Sequence, residues 1–431
     1  MTYGRPEHVW GADAPTFPER WGRLAARYAD PTKPRRMLTV DGGGIRGVVS
    51  LQVLGRLEAQ LAAHYDARGV LAAADFRLSR FFDYVAGTSS GAIIASGIAR
   101  GMTVAEIEQV YRDHGHEIFD PRPKVQWIES MYNDGSIERL MKARFGEHTT
   151  LAPSDLETLL MVVTRNTTTD SVWPISSNPD AVYNDPARSN CNLHIPLWHL
   201  VRASTAAPGY FPPEEIGFAA DDPSQRFVFV DGGTTAYNNP AALLLRMATD
   251  PAYCLGWTAG EDQLLVVSVG AGAMTNFGAA AGEQPTSAAG KLIAPLRKPV
   301  DTLVGTLRGM FSQTSYDQDM TCRTLGRCAF GPPVDREVGD LVVPEGQPTP
   351  GAPRWCRYLR YDAELSQRGL AWIAGPDAAN PVPELDTTTL QSLDAVDAID
   401  GLAAFGQALA GRVSLEHLGP FLGVPLSPGL G

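Results

Sequence analysis

The chain has 431 residues, 44% of them hydrophobic and 19% charged, the balance of a folded protein with a sizeable core rather than a disordered one. Its formal net charge of −12 speaks against a nucleic-acid partner, because phosphate contacts need a basic surface. The 5 cysteines show no CxxC pair and no zinc-type spacing, so buried free thiols in a reduced, cytoplasmic setting are expected. The first twenty residues contain no apolar stretch of signal-peptide length, and no segment holds the roughly 20 apolar residues of a membrane span. Membrane contact is therefore expected to be peripheral and transient.

In chain order, residues 1–34 read as an irregular leader ending at Lys33-Pro34. Arg35 to Val40 predicts a buried strand. Gly42-Gly43-Gly44-Ile45-Arg46-Gly47 follows, and then Val48, Leu51, Leu54, Leu57 and Leu61 recur at helical spacing, so the glycine loop joins a strand to a helix. Phe81 to Ala86 predicts a second strand, and Ser90 to Ala99 a helix packed closely beneath a sheet. Strands are predicted at Leu159–Thr164, Arg226–Val230 and Gln263–Val269, and a helix at Asn239–Met247. This alternation predicts an α/β fold, a mostly parallel central sheet with helices on both faces. Residues 272–290, rich in Gly, Ala and Ser, predict a mobile loop. Lys291 to Phe311 predicts a helix interrupted at Pro295 and Pro299. Its mixture of basic and apolar residues fits an interfacial lid or, more simply, a packed surface helix. The expected division is a leader at 1–34, a body at 35–320 and an extension at 321–431 packed on that body.

Two glycine-rich turns carry the chemistry. Gly87-Thr88-Ser89-Ser90-Gly91 fits the Gly-x-Ser-x-Gly elbow, in which flanking glycines allow a sharp strand-to-helix turn and expose the serine. Ser89 is the candidate nucleophile, and the Ser90 N–H, at a helix N-terminus, is a candidate donor to developing negative charge. The loop at Gly42, Gly43 and Gly44 has two readings. Its N–H groups can approach the oxyanion of an attacked ester closely, with Arg46 adding support. The same residues also fit GxGxxG, with Asp66 about 20 residues on, as a dinucleotide site requires. Against that second reading, Asp41 stands directly before the loop, and Asp66 falls at a helix end or turn. For the base, a late histidine in the order of an α/β-hydrolase would be His417. Asp231, at the end of the apolar run Phe227-Val228-Phe229-Val230, is the other candidate. In a parallel sheet its strand end would join the elbow on one edge.

Asp41 to Gly47, Gly87 to Gly91 and Asp231-Gly232-Gly233 occur in order, with Arg202 to Phe211 ahead of the last. Over roughly residues 35 to 272 the chain resembles the patatin-like phospholipases and acyl hydrolases. The resemblance implies a patatin-like three-layer sandwich and a Ser–Asp dyad without histidine, Ser89 the nucleophile and Asp231 the base. It implies an oxyanion hole at Gly42, Gly43, Gly44 and Ser90, with Arg46 nearby. The implied substrates are fatty-acyl esters of glycerophospholipids at a membrane surface, with no metal or organic cofactor. Bacterial relatives of this kind that a cyclic oligonucleotide switches on in anti-phage defence add a small-molecule nucleotide activator to the expectations. The 321–431 extension is then its seat, or the contact of a homo-oligomer. A non-catalytic protein binding an anion or nucleotide through the glycine loop is the alternative of a different class.

Overall fold

The computed structural model describes residues 15–119, 135–188, 190–208, 210–218, 222–273, 309–349, 351–376, 382–387, 389–391 and 396–427. In chain order the main elements are β1 (Arg35–Val40), α1 (Gly47–Asp66), β2 (Tyr84–Thr88), α2 (Ser90–Ala99), α3 (Val104–Phe119) and α4 (Gly135–Phe145). They continue with β3 (Leu159–Asn166), β4 (Ser171–Ser176), α5 (Leu197–Ser204), β5 (Glu214–Gly217), β6 (Arg226–Asp231), α6 (Ala241–Thr249) and β7 (Leu264–Val269). A helix over 309–325, α7, leads into β8 (Arg327–Phe330), β9 (Arg357–Tyr361), α8 (Gln367–Ala374) and α9 (Ile399–Ala410). The predicted mobile loop and interrupted helix fall mostly outside the described residues, which resume at 309.

The strands form one 9-stranded sheet. Its centre is parallel, in the order β3-β2-β1-β7-β9-β8. β4, β5 and β6 add antiparallel pairings around β3. The central strands β1, β2, β7 and β9 are buried along their whole length because helices cover both faces. Along β1, Leu38 and Val40 face the core built with α1, α2 and α9, while Met37 faces the one built with α6 and α7, the two-residue alternation of a pleated strand. The result is the expected α/β sandwich of three layers.

Strand pairing around β3 positions the site. Val163 lies between Thr88 of β2 and Pro174 of β4, and Thr164 between Asp231 of β6 and Trp173 of β4. β4 thus fills one edge of β3, and β2 and β6 share the other. β2 runs parallel to β3 and β6 antiparallel, so their C-terminal ends meet head to head. The sequence pattern predicts Asp231 at the end of a parallel strand. The structure corrects this: the aspartate reaches the elbow by opposed approach along a common edge.

Two other boundaries shift for local reasons. The apolar pair Phe81-Phe82 closes a helical turn (Leu78–Phe81) rather than opening β2, which begins at Tyr84; a short buried apolar run does not by itself distinguish the two. The helix expected from Asn239 begins at Ala241, behind Pro240. The last strands, β8 and β9, extend the sheet beyond β7, and α9 packs on α1, where a Cβ on Gly406 would stand 3.0 Å from the Val49 Cα. All five cysteines are buried and free. Among the described residues no helix is long and apolar enough to cross a membrane.

Candidate active site

Ser89 occupies the turn from β2 into α2 with φ 55° and ψ −128°, a conformation an L-residue adopts at a cost of about 1–3 kcal/mol. The flanking glycines make the turn feasible. A Cβ on Gly87 would lie 2.1 Å from the Gly91 carbonyl oxygen, and one on Gly91 would lie 2.3 Å from that of Val40. The strained serine is held from behind by Ser204, whose Oγ accepts the Ser89 N–H at 2.9 Å and donates to the Val163 carbonyl at 2.7 Å.

Ser89 Oγ donates to Asp231 Oδ2 at 2.6 Å. The other carboxylate oxygen accepts the Gly233 N–H at 2.7 Å, and the Asp231 N–H is anchored on the Ala206 carbonyl at 2.9 Å. Asp231 is only 1% exposed. Burial pushes its pKa up to about 7, against the opposing pull of the bonds from Ser89 and Gly233. A carboxylate with that proton affinity is matched to proton transfer near neutral pH.

The glycine loop lies directly against the serine: a Cβ on Gly42 would stand 3.1 Å from Ser89 Cβ. Asn238 grips Gly42 twice, its carbonyl accepting the Gly42 N–H and its Nδ2 donating to the Gly42 carbonyl, each at 3.1 Å. The Gly43 N–H donates to Ser90 Oγ at 3.0 Å. The Gly43 carbonyl accepts from Arg46, through its N–H at 3.2 Å and Nε at 3.3 Å, and Arg46 Nη1 also donates to the Gly272 carbonyl at 2.8 Å. Arg46 is thus a buried brace on backbone carbonyls. Because a trans peptide sets C=O and N–H on opposite sides, the Gly44 N–H points away from that brace. Gly44 has φ +60°, which favours glycine. The Ser90 N–H precedes the hydrogen-bond ladder of its helix. Among the described residues, neither the Gly44 nor the Ser90 N–H meets an acceptor within the chain.

The rival candidates are placed elsewhere. His417 Nδ1 pairs with the Tyr361 hydroxyl at 2.9 Å, and its ring stacks on Phe330 at 4.3 Å. Burial takes its pKa down to about 4, so it is neutral and engaged away from Ser89. Asp66 is exposed at the far end of the 20-residue α1, about 30 Å along the helix from the glycine loop, and cannot serve a ribose there. Three residues that the motifs do not announce also belong to the site: Ser204, Asn238 and Arg360, which holds Asp41. Ser204 lies within the Arg202–Phe211 stretch, but nothing in its spelling assigns it the elbow. Asn238 and Arg360 give no sequence signal: the turn after β6 brings Asn238 to Gly42, and the register of β9 on β7 sets Arg360 opposite Ser268.

Residues 38–245 match the family model of the patatin-like phospholipases. The chain carries a patatin-like phospholipase domain. Calcium-independent phospholipase A2-gamma of Mus musculus is 31% identical over 240 residues, covering 51% of this chain and 27% of the relative. Patatin-17 of Solanum cardiophyllum is 27% identical over 255 residues, 56% of this chain and 61% of the relative. The cGAMP-activated phospholipase of Escherichia coli (strain TW11681) is 29% identical over 215 residues, 48% and 54% respectively. The chain thus spans about a quarter of the mammalian relative and somewhat over half of the other two. The matched patatin-like segment contains the glycine loop, the elbow and the Asp231 turn, and ends well before β9.

Proposed function

We propose that this protein is a serine acyl hydrolase that cleaves fatty-acyl esters of glycerophospholipids through Ser89 and Asp231. The observation that carries the reading is the 2.6 Å contact between Ser89 Oγ and Asp231 Oδ2 at a strained elbow. Ser89 Oγ attacks the ester carbonyl carbon while its proton passes to Asp231 Oδ2. The carbonyl oxygen takes up the displaced electron pair and is met by the free N–H groups of Gly44 and Ser90. Gly42 and Gly43 shape the loop, and Arg46 fixes the peptide that aims Gly44. As the tetrahedral centre collapses, Asp231 returns the proton to the departing alcohol and Ser89 is left acylated. Water then adds to the acyl-enzyme, giving its proton to Asp231, and collapse releases the fatty acid and restores the serine.

The proposed partner surface is a phospholipid bilayer, engaged peripherally; the names of the phospholipase relatives support a phospholipid substrate. Activation by a cyclic nucleotide is supported only by the name of the Escherichia coli relative; a rate raised by added cyclic dinucleotide would bear it out, and a rate already maximal without it would overturn it. The test is fatty-acid release from mixed phospholipid vesicles. Wild type is expected to release acid, and Ser89→Ala to lose about 10³-fold or more of the rate, as hydrolases do without their nucleophile. Equal release by the two proteins would overturn the reading.

A further inference from the structure

Asp41 stands directly before the glycine loop, is buried, and takes no part in the Ser89–Asp231 pair. Both its oxygens are engaged by one guanidinium: Arg360 Nη1 donates to Oδ1 at 2.9 Å and Nη2 to Oδ2 at 2.7 Å. The same side chain reaches Ser268 Oγ at 2.8 Å and Asp362 Oδ2 at 2.7 Å. Asp362 Oδ1 accepts the Gly272 N–H at 3.1 Å, and the Gly272 carbonyl is the one Arg46 holds. The contacts therefore run from β9 across β7 to the end of β1, and return through Arg46 to Gly43. A forked guanidinium–carboxylate pair fixes orientation as well as distance. Burial raises Asp41 to about 6 even with Arg360 beside it, so removing the arginine would leave a buried carboxylate without compensation.

We propose that Arg360 is a positioning residue for hydrolysis: acting through Asp41, it sets where the Gly42–Gly44 backbone stands relative to Ser89. This rests on the acyl-hydrolase reading above. Arg360 lies outside the segment matched by the family model, so the first residue of the glycine motif is held by a strand that segment does not contain. A purely structural pair would change how much of the protein folds. A positioning pair changes the rate of each folded molecule.

The experiment uses the full chain, a short chromogenic ester, and a fluorophosphonate that titrates reactive Ser89, so that kcat is expressed per competent site. Arg360→Met is expected to lower kcat per titrated site about 10- to 100-fold, short of the ~10²–10³ lost with a whole oxyanion donor, with KM little changed. Arg360→Lys keeps the charge without the fork, is expected to fall between, and covers failure of the methionine variant to fold. Wild-type kcat per titrated site in the folded variants, whatever their melting temperatures, overturns the positioning role. Failure of both variants to fold overturns it as well, by making the pair structural. A wild type that neither hydrolyses the ester nor takes up the probe would instead remove the acyl-hydrolase reading, and this proposal with it.

Discussion

At the scale of residues, the proton affinity of Asp231 is the most consequential quantity in the site. Its carboxyl is raised from 3.8 to about 7 because it is buried. As the proposed base it works only when ionised, so ester hydrolysis is expected to rise with pH through a midpoint near 7. The same shift has a cost in stability. The folded protein binds this proton more tightly than the unfolded chain, so the contribution is full below about pH 4 and is lost as pH rises through about 7. At about 1.4 kcal/mol per pH unit the loss approaches roughly 4 kcal/mol. Asp231→Asn is therefore expected to melt higher than wild type at pH 8, with the gap closing toward pH 4; thermal melts across that range check it. A gap independent of pH would contradict the assignment. The candidate nucleophile was legible in the sequence because glycine spelling reports backbone crowding: Gly87 and Gly91 have no room for a Cβ. The choice between Asp231 and His417 was not legible from the residues, since it depends on which strand ends adjoin, and the family resemblance supplied it.

At the scale of elements, the head-to-head meeting of β2 and β6 on one edge of β3 places serine against aspartate. Ser204, at the end of α5, ties this junction together by bridging the Ser89 N–H and the Val163 carbonyl. Ser204→Ala leaves both groups without that partner, at a cost of about 1–3 kcal/mol. Because the strained Ser89 backbone is then less restrained, kcat is expected to fall about tenfold, measured beside the melting temperature. Gly91→Ala is harsher. Its new methyl would press on the Val40 and Asp41 carbonyls, costing roughly 1–3 kcal/mol and parting the elbow from the glycine loop. The strands β1, β3, β6 and β7 and the helices α1 and α2 were legible because their periodicity is regular and they are buried. The direction of β6 was not: alternation in a strand reports its faces, never its partner. β4 and β5 are only partly buried, and so too weakly patterned to register.

At the scale of the whole molecule, the chain beyond 320 completes the sheet with β8 and β9, lays α9 on α1, and sends Arg360 to Asp41. Little of this was readable, because the β8–β9 connection is rich in proline and glycine and each strand is short. A chain ending at Gly326 would bare the edge of β7 and the apolar face of α1 that α9 covers. It is expected to aggregate or remain unfolded, which circular dichroism and size-exclusion chromatography would show. A monomeric, folded and active truncation would contradict this. His417 belongs to the same region, and His417→Ala is expected to lower the melting temperature while leaving kcat per titrated site unchanged.

The most direct test of the central claim is the rate of fluorophosphonate labelling of Ser89 against pH, in wild type and Asp231→Asn. The Ser89–Asp231 account predicts labelling in wild type that rises through a midpoint near pH 7, and labelling slowed by orders of magnitude, without that rise, in Asp231→Asn. Equal rates in the two proteins, or the same pH profile in both, would contradict it and mean that another group activates the serine.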